Sequence, residues 1–154
     1  MSQFETVALG GTFDIIHKGH EALLNKAFSI SSNVIIGLTG DELALKKNKN
    51  VSNNYSKRLE NLTRLIEKKF PNSSFTISKL ENDFGPAAIE GKVDALVVSE
   101  ETRNKGKILN DLRKNQNLPP VEVVIVPMVL AEDGNRISTT RIKNSEIDSE
   151  GKLS

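Results

Sequence analysis

The sequence predicts an α/β fold, an open, mostly parallel five-stranded sheet with helices on both faces. Apolar runs and helical patterns alternate along the chain as β-α-β-α-β-α-β-α-β-α. That order implies right-handed crossovers between parallel strands. The run Val34-Ile35-Ile36-Gly37-Leu38 is apolar nearly throughout, as in strands that helices cover on both sides. Glycine and proline punctuate the runs where each element must stop.

Thr6 to Leu9 forms the first strand, halted by Gly10-Gly11. Gly19 to Ile30 places Ala22, Leu23, Ala27 and Phe28 at helical spacing, with Leu24 beside them. Val34 to Leu38 is the second strand, and Asp41 to Asn50 a lysine-rich connection. Tyr55 to Phe70 sets Leu59, Leu62, Leu65 and Ile66 on one helical face, with Arg58 mostly elsewhere, and Pro71 closes it. Phe75 to Ile77 and Ala95 to Val98 are strands. A helix from about Thr102 to Gln116 turns Ile108, Leu109 and Leu112 inward, until Pro119-Pro120 breaks the chain. Val121 to Val126 is the fifth strand, Asp133-Gly134 a turn, and Ser138 to Asn144 the start of a last helix. The polar tail from about Ser145 is expected to fray.

Composition narrows the function. The 154 residues amount to a single domain spanning 1–154. Charge is 21 minus 20, or +1, which removes a global basic field for nucleic acid. There is no cysteine, so disulfide frameworks, cysteine metal sites and thiol nucleophiles are excluded. No apolar run approaches the roughly 20 residues of a membrane span, and no signal peptide is visible. A cytoplasmic protein without nucleic-acid or membrane partners is expected.

Open parallel sheets bind ligands outside the carboxyl ends of their strands, where the strand order reverses. The site should therefore draw on Gly10 to His20, Leu38 to Lys49, Ser99 to Arg103 and Pro127 to Arg141. Both histidines of the chain stand in His17-Lys18-Gly19-His20, just past the first strand. Imidazoles donate to phosphate oxygens and can carry charge near neutral pH. Gly19 lets a phosphate approach the backbone where a helix begins, and the free N–H groups there favour an anion. The bland reading is a pair of surface histidines near a cap. A metal site would need a further ligand, for which Asp14 or Glu21 could serve. Gly10-Gly11-Thr12-Phe13-Asp14 precedes the pair, and Thr12 offers a hydroxyl and an N–H at the strand end. Neither a GxGxxG fingerprint nor a GxxxxGK[ST] loop is present.

Ile137-Ser138-Thr139-Thr140-Arg141-Ile142 supplies three hydroxyls at a helix start and an arginine one turn later, which together suit an anion. Simple capping beside a solvated arginine is the plainer reading. Lys46, Lys47 and Lys49 follow the second strand, either as a solvated face or as the seat of an anionic second substrate. Arg58 and Arg103 carry the same two readings.

Taken together, these pieces resemble the HxGH nucleotidylyltransferase superfamily. Gly10 to His20 looks like its first motif, and Ile137 to Arg141 like its ISSTxxR-type motif, with Arg141 one position earlier than in the commonest bacterial spacing. Within it, Gly37 to Glu42, Val97 to Thr102 and Val129 to Gly134 are most similar to the archaeal phosphopantetheine adenylyltransferases. The resemblance implies a Rossmann-like domain that joins ATP to 4′-phosphopantetheine, giving dephospho-coenzyme A and pyrophosphate. It implies that Thr12 and His20 hold the transferring α-phosphate, and that His17 and Gly19 hold the triphosphate with Ser138, Thr139 and Arg141. Gly10 and Phe13 fall in the ATP-binding motif. Lys47, with Lys46 as a rival alignment, would contact the pantetheine phosphate, beside Thr12. Ser99 and Glu100 look like adenosine-side positions and Arg103 like a triphosphate contact. Magnesium is expected on the ATP. The alternatives are a glycerol-3-phosphate cytidylyltransferase, a nicotinamide mononucleotide or flavin adenylyltransferase, and a non-catalytic nucleotide-binding module.

Overall fold

In the computed structural model, the residues described are 3–47, 51–82, 84–85, 91–127, 129–134, 137, 142, 145–148 and 150–153. Strands β1 (Phe4–Gly11), β2 (Ser31–Thr39), β3 (Phe75–Leu80), β4 (Ala95–Ser99) and β5 (Glu122–Val126) form one sheet in the order β3-β2-β1-β4-β5. Every pairing is parallel. The order reverses between β1 and β4, and that is the switch point.

Alternate residues of each strand feed opposite layers, as the two-residue period demands. Val7, Leu9, Val34, Ile36, Leu38, Ala95 and Val97 pack with Leu24, Ala27 and Ile30 of α1 (Lys18–Ile30) and with Leu62 and Ile66 of α3 (Tyr55–Lys69). Ala8, Leu96 and Val98 face the other way, against Leu109 of α4 (Asn104–Asn115). The sheet is thus covered on both sides. A fully buried Leu such as Leu62 contributes about 1.5–3 kcal/mol through burial alone.

Several local expectations need amendment. The lysine-rich connection begins with a short helix, α2 (Asp41–Lys46), whose Leu43 and Ala44 are buried. Helix α4 starts at Asn104 after a 3₁₀ turn over Glu100–Thr102, and its buried stripe is Gly106, Leu109 and Arg113. Ile108 and Leu112 are exposed instead. The reason lies at Gly106, where an added Cβ would sit 2.3 Å from Val123 Cγ2. That close approach turns the helix to the stripe i, i+3, i+7. Arg113 completes it by donating to the carbonyls of Pro119 and Gly91.

Arg58 was expected mostly on the exposed side of its helix and is completely buried. The C-terminal stretch, expected to fray, is tied down. Ile147 is 2% exposed and pairs antiparallel with Leu153 around a turn. The Asp148 carboxylate accepts the amides of Glu150 and Lys152 in that turn, and Gly151 takes φ +84°. The helix expected between β3 and β4, and Ser138 to Asn144 apart from Ile142, lie outside the described residues. Among the described residues, no helix is long and apolar enough to cross a membrane.

Candidate active site

β1 and β4 pair only through Val7–Ala95 and Ala8–Leu96, so beyond those residues the two strands part. A cavity of about 110 Å³ opens there, lined by Gly10 and Gly11, by Gly37 and Thr39 of β2, and by Val98 and Ser99 of β4. Its apolar wall is Leu80, Phe84 and Leu96, and its polar groups include Lys47, Thr102 and Lys105. Gly37 makes room for Leu80: a Cβ would lie 2.8 Å from three atoms of its side chain, which would have to shift.

The histidine pair and Thr12 do not line this cleft themselves; Gly10 and Gly11 before them and Leu23 after them do. His17 is the N-cap of α1 and His20 its third helical residue. His17 Nδ1 accepts the Gly19 amide at 3.0 Å, and His20 Nδ1 accepts the His17 amide at 3.3 Å. A ring nitrogen that accepts an N–H has its lone pair there, so each neutral ring keeps its proton on Nε2. Both Nε2–H groups are therefore donors. The rings stack with centroids 4.0 Å apart. Burial, and secondarily the His17 ring, push the His20 pKa down to about 3. His20 is thus a neutral donor at pH 7, whereas the sequence allowed a charged one. The helix-start amides are likewise less open than expected, since His17 takes that of Gly19, and its carbonyl accepts from His20 and Glu21. Leu23, one turn along α1 from His20, reaches the cleft.

Phe13 makes the turn between strand and helix. It sits at φ +49°, a left-handed conformation that is unusual for a bulky residue. Its ring is 1% exposed and tilts under His20 with centroids 4.8 Å apart. Gly11 makes room for it, because a Cβ there would fall 2.9 Å from the Phe13 ring. Strain of this kind concentrates at functional sites. Thr12 lies between the two, and its carbonyl accepts from Arg58 Nη1 at 2.9 Å.

Asp14 is occupied structurally. Its buried carboxylate accepts the amides of Ser52 and Asn53 at 2.8 and 2.9 Å, holding the loop ahead of α3 over the first motif. Among the described residues, no group of three or more His, Asp or Glu side chains is arranged to hold a metal ion.

The two rival lysines part company. Lys47 lines the cleft, whereas Lys46 lines a neighbouring polar depression with Glu42, Lys79 and Glu81. Ser99 reaches the cleft and caps the 3₁₀ turn, its hydroxyl 3.1 Å from that of Thr102. Glu100 and Arg103 are exposed on that turn and do not line the cleft; Thr102 and Lys105 line it instead. Thr102 falls within the stretch Ser99 to Arg103 that the sequence assigns to the site; sequence reasoning missed Lys105, Leu80 and Phe84, none of which belongs to a recognisable motif. Ser138, Thr139, Thr140 and Arg141 lie outside the described residues. Their flanks are described: Ile137 and Ile142 pack with Ala131 and Ile147. Lys18 of the first motif pairs with Glu150 at 2.9 Å, bringing the C-terminal stretch to α1.

The cytidylyltransferase-like family model matches residues 8–145. A protein of Methanosarcina acetivorans named phosphopantetheine adenylyltransferase is 41% identical over 149 residues, 96% of this chain and 94% of its own. One of the same name from Methanothermobacter thermautotrophicus is 35% identical, over 98% of this chain and 90% of its own. This chain belongs to the phosphopantetheine adenylyltransferase family of cytidylyltransferase-like proteins. A solved structure, a protein of unknown function from Archaeoglobus fulgidus, superposes with TM-score 0.72 at 27% identity, covering 87% of this chain and 99% of that one.

Proposed function

We propose that the chain transfers the adenylyl group of ATP to 4′-phosphopantetheine, giving dephospho-coenzyme A and pyrophosphate. The observation that carries this reading is that the stacked histidine pair begins the helix that follows Gly10 and Gly11, and that those two glycines line a largely apolar cleft with Lys47 and Lys105 in its wall. A cleft of that composition suits an acceptor with a long neutral arm and a phosphate at its end. The names of the relatives agree with it.

In this reading Thr12 and His20 hold the α-phosphate, His20 through Nε2–H. His17, with Ser138, Thr139 and Arg141, holds the rest of the triphosphate, and Gly19, whose amide is held by His17, leaves room for it to approach. Lys47 holds the acceptor phosphate, and Ser99, joined by Thr102 and Lys105, lines the adenosine side. An oxygen of the acceptor phosphate bonds to the α-phosphorus of ATP, and the bond from that phosphorus to the bridging oxygen breaks, releasing pyrophosphate. The acceptor phosphate is already ionised, so no strong general base and no covalent intermediate are needed. Catalysis is alignment plus donors aimed where charge grows. The His20 Nε2–H donor does this without titrating near pH 7. Magnesium would arrive with ATP as its counter-ion and offset charge on the phosphates.

The test is pyrophosphate release across a panel of nucleotides and phosphorylated acceptors. Turnover with ATP and phosphopantetheine, and little with CTP or glycerol 3-phosphate, is the expected result. Use of CTP without ATP would overturn the choice of nucleotide.

A further inference from the structure

We propose that Asp41 and Arg58 form a positioning pair that couples the strand ends around Thr12 to helix α2, which ends beside Lys47. This rests on the adenylyl-transfer reading for its kinetic consequence, and on the geometry alone for the coupling itself.

Arg58 has no exposed surface, yet it carries a permanent charge. Taking such a cation out of water costs several kcal/mol unless its donors are met, and an apolar residue of the same volume would often be as stable. The bonds it makes show what the cost supports. Nη1 donates to the Thr12 carbonyl at 2.9 Å and to the Thr39 carbonyl at 2.6 Å, joining the ends of β1 and β2. Nε donates to the Asn53 carbonyl at 3.1 Å, in the loop that Asp14 also grips. Nη2 donates to Asp41 Oδ1 at 2.8 Å, at the first residue of α2. Asp41 Oδ2 accepts the Tyr55 amide at 3.1 Å, so the same carboxylate holds the start of α3.

Of the four acceptors, Thr39 lines the cleft, Thr12 follows its Gly11, Asp41 opens the helix that carries its Leu43, and Asn53 belongs to the loop held against the first motif. One planar fork therefore sets the spacing between Thr12, on the side of the attacked phosphate, and the short helix that ends beside Lys47. A lysine supplies charge without the fork and cannot span these four oxygens. Asp41 is half exposed, with 51% of its side chain accessible, so it can be altered without opening the core.

The test compares Asp41→Asn, Asp41→Glu and Arg58→Lys with the wild type, in two arms. In the first, amide hydrogen exchange is followed without substrate in peptides covering 4–16 and 41–47. The expected result for Asp41→Asn is faster exchange in both stretches. Faster exchange confined to 41–47 would make Asp41 a local cap and overturn the coupling, whatever the enzyme's substrate. In the second arm, Asp41→Asn should raise KM for phosphopantetheine and lower kcat, each by about 3- to 30-fold, while KM for ATP stays near its wild-type value. Asp41→Glu should recover most of the loss, and Arg58→Lys should not resemble the wild type. Equal changes in both KM values, or a lower melting temperature with unchanged kinetics, would reduce the pair to a structural role. A wild type that exchanges as expected but releases no pyrophosphate would count against the adenylyl-transfer reading and leave the coupling standing.

Discussion

His17 and His20 cap each other across the first turn of α1, each with Nδ1 on a backbone amide, and their rings stack 4.0 Å apart. The arrangement fixes both tautomers and leaves Nε2–H of each ring as the donor. His20→Ala removes one such donor from the site of charge development. Turnover should fall by about 10²-fold or more, the scale seen when one transition-state donor is lost. Because the His20 pKa lies at about 3, the wild-type rate should show no inflection from His20 between pH 5 and 8. Steady-state pyrophosphate release across that range checks both points.

The same burial has a consequence for stability. His20 has a pKa of about 3 in the folded chain against 6.5 for an ordinary histidine. Between those values the unfolded chain binds more protons, so stability rises with pH there. The contribution is fully present above pH 6.5 and is lost as pH falls from 6.5 towards 3. His20→Gln cannot take up that proton. Its melting temperature should therefore fall less steeply than the wild type's between pH 6.5 and pH 4.5, measured by thermal denaturation.

Gly19 separates activity from stability. An added Cβ would lie 2.8 Å from His17 Cε1 and 2.9 Å from Nδ1, so the ring must swing off its cap. Losing an N-cap costs about 0.5–2 kcal/mol, and Gly→Ala inside a helix returns about 1 kcal/mol. The two nearly offset. Gly19→Ala should therefore melt within a few degrees of the wild type while kcat falls about tenfold or more, since its displaced ring is a transition-state donor. A large loss of stability with normal kcat would contradict this.

The division of the two lysines gives a specificity test. Lys47→Ala should raise KM for the phosphorylated acceptor by about tenfold or more, as loss of a charged hydrogen bond of 1.5–3 kcal/mol implies. KM for ATP should change little. Lys46→Ala, in the neighbouring depression, should leave both near wild type.

The sheet was legible because its inner strands carry apolar runs that bury on both faces, and because glycine and proline mark strand ends. The first motif was legible because a helix start, a strand end and both histidines coincide within eleven residues, Gly10 to His20. What escaped had no local signature. Arg58 sits among polar neighbours in a helix, and only the folded chain brings the Thr12 and Thr39 carbonyls to its guanidinium. Leu80 and Phe84 read as ordinary apolar residues, and the strand order decides that they line the cleft. Ile108 and Leu112 were misassigned because apolar spacing alone cannot see that Gly106 must press against Val123. The protonation state of His20 depends on burial that spacing does not encode.

Label transfer reads the adenylyl-transfer step itself. ATP carrying a radiolabel in its α-phosphate is mixed with excess enzyme and 4′-phosphopantetheine, and the products are separated after one turnover. The label should appear in dephospho-coenzyme A one for one with unlabelled pyrophosphate. Label that stays in ATP, or transfer seen only from CTP labelled in its own α-phosphate, would rule out this reaction.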